Sequence, residues 1–201
     1  SFAIGKDAVA SGLYSSSIGQ ATLATGTNSS ARGWLTTASG SSSLAMGENT
    51  TASGLLSTAS GYFTQASGTL SMSSGYFTQA VGAYSQANGY QNISTGTSSF
   101  ALGSNTRSSG NTSLSLGERT IAKSYASVVL GRFNDTTAIS TFAWEVTDPV
   151  FVIGNGTTNN SRSNAFTILK NSKVGIGITN PGFLLNFPTG FGDKISFWGT
   201  N

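Results

Sequence analysis

Apolar residues along the first two thirds of this chain do not trace a helical stripe. The residue just before a glycine is apolar at Ile4, Ile18, Met46, Leu102, Leu116 and Leu130, and in the interleaved positions it is mostly small and polar, as at Ser11, Thr25, Ser39, Ser53, Ser67, Thr95 and Ser109. The glycines stand at every seventh residue from Gly5 to Gly117 and return in register at Gly131, with Ser124 in the one vacant place. Two positions before each glycine is Ala or Ser, until Val129, and four before it is almost always Ser or Thr. The unit is [S/T]-x-[A/S]-x-G-x-x, and because its apolar content alternates, the structural repeat is 14 residues. "GYFTQA" therefore appears at 61 to 66 and again at 75 to 80. Glycine every second turn costs a helix about 1 kcal/mol each time, whereas short periods of this kind are the signature of stacked coils.

Strand alternation assigns the faces. Positions two and four before glycine point to one side and are small throughout, which suits the inside of a thin coil whose strands lie back to back. Positions one and three before it point outward, and in every second strand they are apolar. Phe2 with Ile4, Ile18, Leu44 with Met46, Phe100 with Leu102, Leu114 with Leu116 and Val128 with Leu130 form that outer set. Each such side chain is worth roughly 1.5–3 kcal/mol when fully buried, and an interior built for Ala and Ser has no room for them. They are expected to meet copies of themselves in an assembly closed by cyclic symmetry. Glycine is expected to supply positive φ at the corners, and about nine coils at roughly 4.8 Å each give a rod on the order of 43 Å long.

A second regularity crosses the first. Where the residue before glycine is not apolar (Arg32, Ser60, Ser74, Asn88), bulky residues follow the glycine: Trp34 and Leu35, Tyr62 and Phe63, Tyr76 and Phe77, Tyr90. Where it is apolar, the following pair is polar or small, as in Lys6 and Asp7 or Glu48 and Asn49. Stacking at 14 residues predicts a ladder of Tyr62, Tyr76 and Tyr90 with Trp34 two rungs away. These aromatics either cover an interchain core from the corner, or present Trp34, Tyr62, Phe63, Tyr76, Phe77 and Tyr90 to a glycan or protein ligand.

The alternation of "SFAIG", "SLAMG" and "SFALG" with "TLATG" and "TTASG" resembles the YadA-like head of trimeric autotransporter adhesins over residues 1–131. The resemblance implies an all-β, left-handed parallel β-roll assembled as a homotrimer with two further copies of the chain. It also implies an extracellular, cell-surface fibre that attaches to host or prey cells, matrix protein or glycans. Neither a family neck motif nor a membrane anchor follows the head in these residues.

After Gly131 the heptad is lost. Residues 132–181 read as short strands, "TFAWEV", "PVFVIG" and "AFTILKNSKVGIG", with Asn171 and Ser172 as a hairpin turn. They resemble connector modules of trimeric bacterial surface and phage-type fibres. Asn180 and Pro181 read as a boundary, and residues 182–201 as the first strands of a further β-module; the whole is read as a piece of something longer.

Composition narrows the chemistry. Absence of Cys and His excludes Ser/His/Asp and Cys/His nucleophilic sites and the usual zinc spacings. Seven Asp and Glu remain, and Asp135, Glu145, Asp148 and Asp193 show no glycosidase-like pairing. Neither a catalytic site nor a cofactor or metal site is expected. Ten Lys and Arg against seven acids give a net charge of +3, scattered along the chain, so nucleic acid is not an expected partner. No apolar run reaches a membrane span, so direct membrane insertion by these residues is not expected. Sequons at Asn28, Asn49, Asn92, Asn111, Asn134, Asn155 and Asn159 are read as coincidence in so polar a chain. Two alternatives to adhesion remain: a tailspike-like glycan depolymerase, and an ice-binding solenoid suggested by threonines at 22, 36, 50, 64, 78, 106 and 120.

Overall fold

A computed structural model describes residues 1–189, and in it the repeat winds as a parallel β-solenoid of 14-residue coils. Each coil has a five-residue strand with glycine fourth, such as Ser16–Gln20 or Ser30–Trp34, and a two-residue strand such as Leu23–Ala24. The long strands, from Phe2–Ile4 to Val128–Arg132, stack into one sheet, and the short ones, from Val9–Ala10 to Ile121–Ala122, form a second sheet of nine strands. Register is i to i+14 throughout, as in Ser17↔Ala31 and Ala66↔Ala80. Repeat length thus sets strand pairing directly.

The interior is as thin as the sequence predicts. Ala24, Ala31, Ala38, Ala45, Ala52, Ala59 and Ala66 form one fully buried cluster. Ser or Thr occupies the other inward column and is equally buried. Where a long strand brings Ser instead of Ala, its hydroxyl meets the facing threonine: Ser17 Oγ is 2.7 Å from Thr22 Oγ1, Ser73 Oγ 2.7 Å from Thr78 Oγ1, and Ser115 Oγ 2.8 Å from Thr120 Oγ1. Hydrogen bonding across the cavity replaces packing that side chains this small cannot provide.

The glycines play a different part from the one expected. Among the repeat glycines only the long-strand set, such as Gly19 (132°) and Gly61 (120°), has positive φ. At both kinds of glycine a Cβ would run into the carbonyl of the next coil, Gly61 against Gly75 O and Gly54 against Gly68 O. Glycine is there to let backbones stack. The left-handed corner instead falls on the residue two places after each glycine, whatever its type, including Leu35 (φ 53°), Phe63 (52°) and Phe77 (53°). Its N–H donates to the coil below, Phe63 N to Glu48 O at 2.9 Å and Phe77 N to Tyr62 O at 2.9 Å. That bond, worth about 0.5–1.5 kcal/mol, counters a left-handed cost of roughly 1–2 kcal/mol. Ser124 closes the glycine series because the short-strand sheet ends there. No coil stacks on it, and its hydroxyl donates to Pro149 O at 2.7 Å.

The sheet runs on through residue 131. Strand Pro149–Asn155 pairs in parallel with Val128–Arg132, matching Gly131↔Gly154, Leu130↔Ile153 and Val128↔Phe151, so "VFVIG" acts as a further copy of the repeat after a detour. Asn164–Leu169 and Val174–Ile176 follow as an antiparallel hairpin, with Ser172 at φ 67° in its turn, as the sequence predicts. "TFAWEV", in contrast, is not a strand. The buried Asp148 carboxylate accepts from Ile139 N (2.6 Å) and Ser140 N (3.0 Å), and Ser140 Oγ accepts from Ala143 N (2.9 Å). Side-chain acceptors thereby hold these backbone groups in a loop. Of the further module expected at 182–201, residues 182–189 include the short strand Leu185–Asn186 and the remainder lie outside the described residues.

Candidate functional site

The outward side of the long strands carries apolar side chains that the single chain leaves open. Two columns run along it in register. One is Phe2↔Ser16↔Ser30↔Leu44↔Thr58↔Met72↔Gln86↔Phe100↔Leu114↔Val128↔Phe151, and the other Ile4↔Ile18↔Arg32↔Met46↔Ser60↔Ser74↔Asn88↔Leu102↔Leu116↔Leu130↔Ile153. The eleven residues singled out from the sequence all lie in these columns, and none is buried in the single chain. Phe2 (50%), Ile4 (59%) and Leu116 (43%) are the most open of them. The columns are apolar throughout from Phe100 onward, mixed at the N-terminal end, where Ser16, Ser30 and Arg32 interrupt them, and polar from Thr58 to Asn88 except at Met72.

Beside that polar middle stands the aromatic ladder. Tyr62↔Tyr76↔Tyr90 end three consecutive long strands. Their rings stack with centroids 5.1 Å apart and planes 11° and 2° from parallel. Phe63 and Phe77, on the left-handed corners, stack at 4.8 Å and 4°. Trp34 is separated from the ladder by Glu48, the rung between. Size compensation along the strand explains the arrangement: small Ser60, Ser74 and Asn88 stand where a large ring follows the glycine. The geometry also limits what the ladder can do. Each internal ring face is covered by the next ring, so the ladder shows edges and hydroxyls rather than faces, and a sugar ring has no free face to stack on between Tyr62 and Tyr90.

The remaining candidates separate cleanly. The threonine column faces inward, with Thr36, Thr50, Thr78 and Thr120 at 0% exposure, so the feature that suggested ice binding is not open to solvent. Asp148 is spent on the loop, and Asp135 accepts from Thr136 N (2.7 Å) and Thr179 Oγ1 (3.1 Å); Asp193 lies outside the described residues. Among the described residues no group of three or more acids is placed to hold a metal ion, and no helix is long and apolar enough to cross a membrane.

Two of the sequons are built into the interior. Asn92 Nδ2 donates to Asn88 O (2.6 Å) and Gly103 O (2.7 Å), while its Oδ1 accepts from Thr106 N (2.8 Å). Asn134 does the same work at Ile121, accepting from its N–H at 2.7 Å and donating to its carbonyl at 3.1 Å. Both lie in the column that threonine fills elsewhere.

What the linear sequence hides is a convergence of cations at the C-terminal end of the coils. The guanidinium carbons of Arg119, Arg132 and Arg162 lie 5.7, 5.4 and 5.8 Å from the centroid of the buried Phe133 ring. Counting back from residue 133 by the repeat would have brought Arg119 beside Phe133; Arg162 arrives by the detour, which no periodicity reveals. Burial, followed by the neighbouring charge of Arg119, pushes the Arg162 guanidinium below the ordinary arginine value, and Asp135 acts against the shift.

The model of the YadA head domain repeat (2 copies) matches residues 1–22, 10–36, 24–50, 38–64, 52–78 and 80–106. The matched spans tile just over half of the chain and fall wholly within the regular coils. No curated protein matches.

Proposed function

Because the chain belongs to the family of YadA head domain repeats, we propose that it is a structural and adhesive segment of a trimeric extracellular surface fibre. Three copies of the coil would lie about one axis as left-handed rolls. The long-strand columns would face that axis, and the outer surfaces would meet cells, matrix protein or glycan. Residues 132–181 would serve as the connector that carries the threefold arrangement onward. The segment works by holding and presenting surface rather than by catalysis.

The observation that carries this reading is the pair of in-register columns from Phe2 to Ile153, whose apolar side chains are left open by the chain that builds them. An interior of Ala, Ser and Thr cannot take these side chains in, and a stripe running the full length of a rod is sheltered most simply by the same stripe on sister chains. The aromatic ladder lies at the end of the same strands, where its ring edges extend the apolar surface over the polar middle of the columns. This supports a contact between chains rather than a sugar platform.

Sedimentation equilibrium tests the assembly. A mass three times that of the 20.5 kDa chain is expected, and Leu116→Asp with Leu102→Asp should abolish it. A wild-type chain that stays folded as a monomer would overturn the proposal. Attachment is tested by coating the purified trimer on a surface and measuring retention of cells and of immobilised matrix proteins against a surface coated with the dissociated variant.

A further inference from the structure

The chain has a net charge of +3, and five of its ten cations, Arg107, Arg119, Lys123, Arg132 and Arg162, fall between residues 107 and 162. Of the four acids in that stretch, Glu118, Asp135, Glu145 and Asp148, the last two act on Lys170 and the Asp148 carboxylate is buried on the loop. The fold gathers Arg119, Arg132 and Arg162 about Phe133 and sets Arg107 and Lys123 along the neighbouring short strands. Asn134 is bonded to Ile121 on both sides of the peptide, and Arg162 Nη1 donates to Arg119 O (3.1 Å) and Asn134 O (3.0 Å), which fixes Arg162 beside Arg119. On the same seam an open groove of about 330 Å³ is lined by Arg107, Ser109, Ile121, Lys123 and Thr136.

Two acids stand beside this surface, and the charge of Asp135 reaches Arg162. Glu118 is paired with Arg132 at 3.5 Å, and the Asp135 carboxylate is turned to Thr136 and Thr179. Arg107, Arg119 and Lys123 have no acidic partner within ion-pair distance among the described residues.

We propose that this basic surface, Arg107, Arg119, Lys123 and Arg162 about the Ile121–Asn134 seam, binds an acidic polysaccharide through its sulfate or carboxylate groups. Guanidinium forks and an ammonium set around hydroxyls match anionic groups carried on a hydroxyl-rich chain. A single-stranded nucleic acid would need aromatic faces for its bases, and Phe133, the ring these guanidiniums surround, is buried beneath them. The groove lies against the short-strand sheet, the side away from the columns proposed to face the axis; its openness in the fibre rests on that assembly, though the surface is complete within one chain.

The test is titration of the 201-residue protein with heparin (sulfated), polygalacturonate (carboxylated), neutral dextran and a single-stranded oligonucleotide, over a range of salt. Saturable binding to heparin or polygalacturonate that weakens with salt is expected, and whichever binds more tightly identifies the anionic group. Arg107→Ser with Lys123→Ser, both exposed side chains outside the hydrogen-bond network, should weaken binding about tenfold. Lys6→Ser with Lys173→Ser removes the same charge elsewhere and should leave it unchanged. Equal losses in the two double variants, tighter binding of the oligonucleotide, equal binding of dextran, or no saturable binding would each overturn the proposal. Sedimentation of the same samples keeps the two ideas apart: a trimer that ignores polyanions removes only this one, and a monomer that binds them removes only the assembly.

Discussion

Adding a single methyl group at Gly61 should be among the most damaging small changes this chain can suffer. The Cβ of Gly61→Ala would be directed at the carbonyl oxygen of Gly75 on the next coil, far inside contact distance, at a φ of 120° that L residues avoid. Backbone strain of this kind costs about 1–3 kcal/mol. To restore ordinary contact the two rungs must move apart by on the order of 1 Å, which disrupts at least two ladder hydrogen bonds at about 1 kcal/mol each. The total is about 3–5 kcal/mol. Gly54→Ala separates the causes, because that position has the same collision, with Gly68 O, without the positive φ; it should lose about 2–3 kcal/mol. Ser124→Ala adds no new Cβ, and should lose only about 1 kcal/mol with its bond to Pro149 O. Urea denaturation at one fixed protein concentration gives all three values, and hydrogen exchange would show the Gly61 damage centred on the neighbouring rungs. If Gly61→Ala lies within about 0.5 kcal/mol of wild type, glycine does not govern the stacking distance and the argument fails.

Asn92→Ala should cost about 2–3 kcal/mol, since it strands Thr106 N and the carbonyls of Asn88 and Gly103, while Asn92→Thr restores the residue of the repeat and should recover most of the loss in the same melt. Tyr76→Ser breaks two stacked ring pairs and should destabilise by about 1–3 kcal/mol; if Tyr62, Tyr76 and Tyr90 join an interchain contact, the triple Ser variant should also dissociate the trimer, seen as a fall in sedimentation mass. Burial pushes the Lys170 ammonium below the ordinary lysine value of 10.5, against the pull of Asp148 and Glu145. Between the lowered value and 10.5 the unfolded chain holds more protons than the folded one, so stability should rise with pH across that alkaline window, and Lys170→Met should flatten the rise in denaturation midpoint. A thermal hysteresis assay should give none, because the threonine hydroxyls are inside.

The coil was legible because its constraints recur. Every repeat must place small residues inside and glycine where backbones approach, so the period, the register and the inward column can be read from spacing alone. The role of glycine was not legible, since a residue needed for lack of Cβ and one needed for positive φ look the same in a sequence. The corners fall on Leu35, Phe63 and Phe77, where an N–H bond to the coil below offsets much of a local preference. "TFAWEV" has the composition of a strand, but Ser140 Oγ takes the Ala143 N–H within it and the Asp148 carboxylate takes those of Ile139 and Ser140 just before it. The rung at Gly154 was hidden by the detour that precedes it, although "VFVIG" differs little from "SFAIG". The basic surface was not legible, because the acids Glu145 and Asp148 stand in the same stretch of sequence and Arg162 joins the other cations by tertiary contact alone.

Backbone hydrogen bonds between rungs point along the rod, as in Phe2 N to Ser15 O and Ser16 N to Ser29 O. Tension on the rod therefore loads them end-on and one rung after another, the arrangement in which a zipper parts at modest force. A tether made from one such strand would peel from its end. If it is to bear load, resistance must come from side chains locked laterally between neighbours, so the greasy columns that look like a liability in solution would become the part that keeps a pulled fibre from unravelling.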